Sequence, residues 1–148
     1  MFLTDHERIA SMARKKVEYL RGSLFGFVIA SALAGVYLGF GVALIFSLGA
    51  PLAAAGAPVV KLVMGMAFGI ALTLVIFAGS ELFTGNNLVG AVGGLSRSIS
   101  WADVGLINFW SWFGNLIGSL GIAFLIVQSG VIAKAPQSDF LVKAAAIK

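Results

Sequence analysis

The sequence has 148 residues, of which 59% are hydrophobic and 11% charged, and a mean hydropathy of +1.01. A water-soluble domain carries about a quarter charged residues, so this composition excludes one; the absence of cysteine excludes a disulfide framework, a thiolate metal site and a cysteine nucleophile. The net charge of +4 does not make a nucleic-acid face, because Arg8, Arg14, Lys15, Lys16 and Arg21 precede the first apolar run, Lys134, Lys143 and Lys148 follow the last, and only Lys61, Glu81, Arg97 and Asp103 stand between Gly22 and Ala133.

Residues 1–21 predict an amphipathic helix on the cytoplasmic surface. Ile9, Met12, Ala13, Lys16, Val17 and Leu20 recur at three- and four-residue spacing, and Thr4 and Asp5 are the expected N-cap residues. Its cations are expected to face lipid headgroups. The apolar run that follows is too long for the core of a signal peptide.

The first spanning helix is expected from about Ser23 to Leu48, which at about 1.5 Å per residue crosses a bilayer with some tilt. Gly22, Gly26, Ala30 and Ala34, then Gly35 and Gly39, repeat at four-residue spacing and suit close helix packing. Gly49–Pro58, with Pro51 and Pro58, reads as a loop.

The second apolar stretch, Val59 to Leu95, would reach roughly 55 Å as one helix, against about 30 Å of hydrocarbon core. It must break. The polar atoms and flanking glycines lie at Gly79-Ser80-Glu81-Leu82-Phe83-Thr84-Gly85-Asn86-Asn87, so this segment is expected to be an irregular loop between Val59–Ala78 and Leu88–Leu95. Broken helices of this kind serve solute sites, because freed backbone groups and helix ends offer polar contacts.

Ser96–Trp101 reads as a polar turn with an interfacial tryptophan. Ser100 is placed to cap a helix starting at Trp101, with Asp103 in its first turn. The third span, about Val104 to Ser129, carries Asn108, Asn115 and a small-residue face at Ser111, Gly114 and Gly118. Asn115 is expected to hydrogen-bond between helices, with a direct role on solute as the alternative. Residues 130–148 form a tail outside the membrane in which another helix can begin after Asp139. The excess of basic residues before the first span puts the N-terminus in the cytoplasm and, with three crossings, the C-terminus outside. An odd number of spans is what one half of an inverted-repeat transporter has.

Three blocks in this order, Gly79–Asn87, then Arg97, Ile99 and Trp101, then Phe113-Gly114-Asn115-Leu116-Ile117-Gly118, resemble the formate/nitrite transporter family, and the resemblance covers nearly the whole chain. It implies an all-α integral membrane protein of the inner membrane with three transmembrane helices, the second broken by a polar loop, spanning residues 22–129: half of an aquaporin-like inverted-repeat fold. It further implies a homo-oligomer, a pentamer with one pore per protomer, and small monovalent anions, formate or nitrite, as solutes. Leu82, Phe83 and Thr84 match the family's pore loop, Phe68 and Leu72 its cytoplasmic constriction, and Thr84 its hydroxyl facing a central histidine. Glu81, Asn86, Asn87 and Asn115 are expected to support the loop.

Chemistry suits those residues. A bare anion pays heavily to pass apolar rings, whereas a weak acid that gains a proton crosses as the neutral species. Ordinary packing remains the alternative for Phe68, Leu72, Leu82 and Phe83. The sequence ends where the family's second repeat begins, and the histidine and lysine of that repeat have no counterpart; His6, the only histidine, lies in the polar N-terminal segment. A truncated product is therefore expected, with antiparallel pairing of two copies as the alternative. Rival functions are a non-transporting membrane fragment or subunit and, less well matched, an aquaporin-like channel for neutral solutes. Glu81 alone is an acid at membrane depth, so no enzyme, cofactor or metal site is expected, and neither is a nucleic-acid partner.

Overall fold

The computed structural model describes residues 2–146, with side chains from Asp5 onward, and is all-helical over them. The helices are α1 (Phe2–Gly22), α2 (Leu24–Ala54), α3 (Val60–Ala78), α4 (Phe83–Leu95), α5 (Trp101–Gln128) and α6 (Gln137–Ala146). Among the described residues α2, α3 and α5 are long and apolar enough to cross a membrane. Their side chains agree with a lipid or protein surround: Met66, Ile76 and Phe77 are 75%, 73% and 87% exposed. Apolar surface on this scale would aggregate in water.

The chain divides into two compact units, the residues up to Gly35 with Gly79–Gly118, and Val36–Ala78 with the residues from Ser119 on. In the first, α1 lies against α4. Ala10, Ala13, Val17 and Leu20 are buried there, whereas Met12 on the expected apolar stripe is half exposed. The helix is already under way at Phe2, so Thr4 and Asp5 lie inside its first turn rather than capping it; an acid there complements the helix dipole. Val17, Leu20, Phe27 and Ile107 form the apolar centre of this unit.

The small residues of α5 set how closely it approaches α2. A Cβ on Gly114 would strike Ser31 and come within 2.9 Å of the Val28 carbonyl oxygen, and one on Gly118 would collide with the Ala32 carbonyl. Backbone therefore lies against backbone, as small-residue faces permit. The matching face of α2 is Val28, Ser31 and Ala32, not the run through Gly22 and Gly26. Gly22 has open space beside it, and Gly26 faces Ser23 and Tyr19.

The turn into α5 is built as the sequence suggests. The Ser100 hydroxyl accepts the Asp103 N–H at 3.1 Å, and the Asp103 carboxylate accepts the Ser100 N–H at 3.3 Å, a reciprocal cap. The same carboxylate takes the Arg21 guanidinium at 2.6 Å, tying the end of α1 to the start of α5.

In the second unit α2 continues through Pro51 to Ala54, so the segment expected to be a loop from Gly49 is helical for another turn. Proline costs a helix its N–H bond, but here the chain stays helical and the close approach at Gly49 is used. A Cβ at Gly49 would meet Met64 of α3 and Phe140 of α6. Phe46 and Phe140 add an edge-to-face ring contact, with centroids 5.7 Å apart. Gly39 and Gly41 admit Ile122 and Ala71 in the same way.

Candidate functional site

The break in the second apolar stretch is shorter than the expected Gly79–Asn87 loop. Only Gly79–Leu82 leaves helical geometry; Thr84, Gly85, Asn86 and Asn87 belong to α4. Gly79 has φ +66, which lets α3 end there without strain. Leu82 is the N-cap residue with an extended backbone, and its side chain caps nothing. A leucine cannot satisfy the first N–H of a helix, so the cap must come from elsewhere.

Asn115 of α5 supplies it. Its Oδ1 accepts the Phe83 N–H at 2.9 Å. Its Nδ2 donates to the Glu81 carbonyl at 2.9 Å and to the Ser31 carbonyl of α2 at 2.8 Å. Both amide hydrogens and the acceptor are thereby used. The Glu81 N–H adds a bond to the Ala30 carbonyl at 3.2 Å. The broken segment is stitched to α2 and α5 through backbone groups that an unbroken helix would have satisfied internally. Gly114 and Gly118 make this reach feasible, because they bring α5 onto Ser31 and Ala32.

Among the described residues the Glu81 carboxylate, expected to support the loop, takes no backbone N–H group. Instead it pairs with the Lys16 ammonium of α1. The two side chains are only 9% and 18% exposed, so neither charge is solvated in the usual way. Lys16 is therefore not one of the headgroup-facing cations expected of α1. The signal that could have found the pair is its position: a lysine between Ala13, Val17 and Leu20 on the buried stripe needs an anion.

Thr84 and Gly85 are exposed at the start of α4, and Leu82 and Phe83 are half-buried. The Thr84 hydroxyl and the N–H groups of Thr84 and Gly85 have no partner among the described residues. They leave free donors at the positive end of a helix. Asn86 is 1% exposed, with its Nδ2 unpartnered among the described residues. Asn87 is half-buried one residue on. Both sit on the first turns of α4, not in a loop. Phe68 and Leu72 lie one turn apart on α3 in the other unit. The Phe68 ring stands 3.4 Å from where a Cβ on Gly41 would be, and Leu72 is 48% exposed. Among the described residues no cluster of His, Asp or Glu could hold a metal.

A family profile described as "Formate/nitrite transporter" matches residues 4–148. The nitrite transporter NirC of Escherichia coli is 42% identical over 130 residues, covering 88% of this chain and 47% of that protein. The probable formate transporter of Methanothermobacter thermautotrophicus is 42% identical over 114 residues, covering 74% of this chain and 41% of its own length. A solved FNT family ion channel superposes with a TM-score of 0.79 at 43% identity, covering 86% of this chain and 50% of that one. These similar proteins are named as transporters or channels rather than enzymes. The chain spans about half the length of the curated relatives it matches.

Proposed function

Since the chain belongs to the formate/nitrite transporter family and is a multi-pass membrane protein, we propose that it forms part of a pore for small monovalent anions of weak acids, nitrite or formate. The observation that carries this reading is the start of α4. There the Thr84 hydroxyl and the N–H groups of Thr84 and Gly85 are unpartnered among the described residues and exposed, while Asn115 and Glu81 hold the segment before them. Free donors at the positive end of a helix suit an anion that has shed its water.

Leu82 at the end of the break, Phe83 at the start of α4, and Phe68 and Leu72 on α3 are the hydrophobic gates of this reading. Apolar constrictions exclude hydrated ions and favour a neutral species, so passage is assisted by a proton. Thr84 holds the solute oxygen or orients the imidazole that gives the proton. Glu81, Asn86, Asn87 and Asn115 position the loop. The protein sits in the inner membrane with its N-terminus in the cytoplasm, surrounded by lipid, and assembles as a pentamer. Because the relatives are about twice as long, a second three-span repeat, on the same polypeptide or on another, completes each pore. The competing reading, a membrane subunit or fragment that does not transport, draws on that same length difference.

Flux of nitrite and formate into proteoliposomes separates the two readings. Uptake that saturates, rises on acidification and falls in Thr84→Ala supports the pore. Well-folded protein reconstituted together with the second repeat, yet without uptake of either anion, sinks it.

A further inference from the structure

Away from the break, α4 ends in a turn whose chemistry the pore reading does not use. Ser96 is the C-cap, and Arg97 follows with φ 55. The Ser98 N–H bonds to the Gly93 carbonyl at 2.9 Å and the Arg97 N–H to the Gly94 carbonyl at 3.0 Å. This is the Schellman arrangement, in which the residue after the C-cap takes left-handed geometry and glycine is the usual occupant. An arginine there holds a backbone conformation that L side chains rarely adopt, and such strain persists where the surroundings impose it and often where function uses it.

The surroundings do impose it. The Ser98 hydroxyl reaches the Ala10 carbonyl of α1 at 3.4 Å and the Ser96 hydroxyl bonds to the Gly93 carbonyl at 3.1 Å. One helical turn beyond Ala10 on α1 comes Arg14. Arg14 and Arg97 line the same open cleft of about 630 Å³, together with Glu18, Asp103 and Trp101. Among the described residues neither guanidinium has an ion pair or hydrogen bond. Of the two acids there, Asp103 is engaged by Arg21 and Ser100, and Glu18 forms no ion pair with either guanidinium among the described residues.

The cleft lies at the start of the third spanning helix. The Trp101 indole packs on Gly94 yet is 61% exposed, and Leu95, next to Gly94 in the chain, is 74% exposed. Tryptophan at the end of a span marks headgroup depth. Two unpaired arginines over an exposed apolar rim match a phosphate that carries acyl chains.

We infer that this cleft binds the headgroup of an anionic phospholipid, with Arg14 and Arg97 on the phosphate and the chains running over Trp101 and Leu95. The site is independent of the pore reading.

The test is retention of lipid by the purified chain in detergent micelles doped with phosphatidylglycerol or phosphatidylcholine, quantified after washing and paired with thermal unfolding. Phosphatidylglycerol should be retained in preference to phosphatidylcholine. Arg97→Gly and Arg14→Gln should each weaken it about fivefold, the effect of one basic residue near an anionic surface. Arg97→Gly supplies the residue that the turn geometry favours, so its Tm should hold or rise while lipid is lost. If it lowers Tm, Arg14→Gln on the exposed face of α1 decides alone. Arg8→Gln, whose side chain lies outside the cleft near Asp5, should retain lipid. Equal retention of both lipids, equal loss in Arg8→Gln, or full displacement by millimolar inorganic phosphate would each overturn the assignment; the last would point to a soluble anion.

Discussion

Asn115 Oδ1 and the Phe83 N–H, 2.9 Å apart, form the cap of a helix whose own N-cap residue is a leucine. A carboxamide is the side chain suited to this position, because it must accept from Phe83 and donate to both Glu81 and Ser31. Leaving buried backbone groups unpaired costs about 1–3 kcal/mol each. Asn115→Asp keeps the acceptor and loses both donors, so it should destabilise the chain by a few kcal/mol, on the order of Asn115→Ala. Thermal unfolding in detergent reads this directly. If Asn115→Asp proved as stable as the parent, the carbonyls of Glu81 and Ser31 would have found other partners.

Lys16 and Glu81 make a second, separable test. Removing one member of a buried pair strands the other charge, at roughly 3–5 kcal/mol, whereas replacing both with apolar residues is often near neutral. Lys16→Met and Glu81→Leu should each lower stability markedly, and the double variant should recover most of the loss. A double-mutant cycle gives the coupling energy. Additive losses would mean that the two charges do not depend on each other.

Two glycines on one helix should respond in opposite ways. Gly118→Ala drives a methyl into the Ala32 backbone and must push α5 off α2, while Gly121 has open space around its Cβ position. Overpacking costs about 1–3 kcal/mol, and Gly→Ala in an unhindered helix gains up to about 1 kcal/mol. Tm should therefore fall in Gly118→Ala and hold or rise in Gly121→Ala. The Asn115 bonds should weaken with the former, visible as faster amide exchange at Phe83.

Thr84 is exposed and its hydroxyl bonds to nothing described, so Thr84→Ala should leave Tm unchanged. On the pore reading it should cut nitrite flux by about tenfold or more, the loss of one hydrogen bond of about 1.4 kcal/mol or above to a charged solute. Thr84→Ser, which keeps the hydroxyl, should restore most of that flux. Parent-like flux in Thr84→Ala would remove the hydroxyl from the mechanism.

The break falls within Val59–Leu95, where the bilayer thickness requires one, but it is shorter than the polar block Gly79–Asn87. The sequence shows Gly79, Glu81, Thr84 and two asparagines as a single polar block, and nothing local says that Asn86 and Asn87 should be helical. What shortens the loop is Asn115, far along the chain, acting as a remote cap. Pro51 misleads in the same direction, because proline signals a loop by its missing N–H while the helix there continues to Ala54.

Hydropathy and the about 30 Å thickness of the hydrocarbon core are enough to read three membrane spans, with an interruption after the second, from the sequence of this stretch. The sequence by itself also determined the cap at Ser100 and Asp103, where both partners lie within one turn. It took the packed helices to show that Lys16 answers Glu81, which backbone groups Asn115 takes, and that Arg14 meets Arg97 at one cleft. These pairs join residues far apart in the chain. Their meeting depends on which faces α1, α2, α4 and α5 present to one another; small-residue spacing marks the α5 face at Gly114 and Gly118, but in a sequence this apolar nothing marks Val28, Ser31 and Ala32 as the face of α2 that meets it.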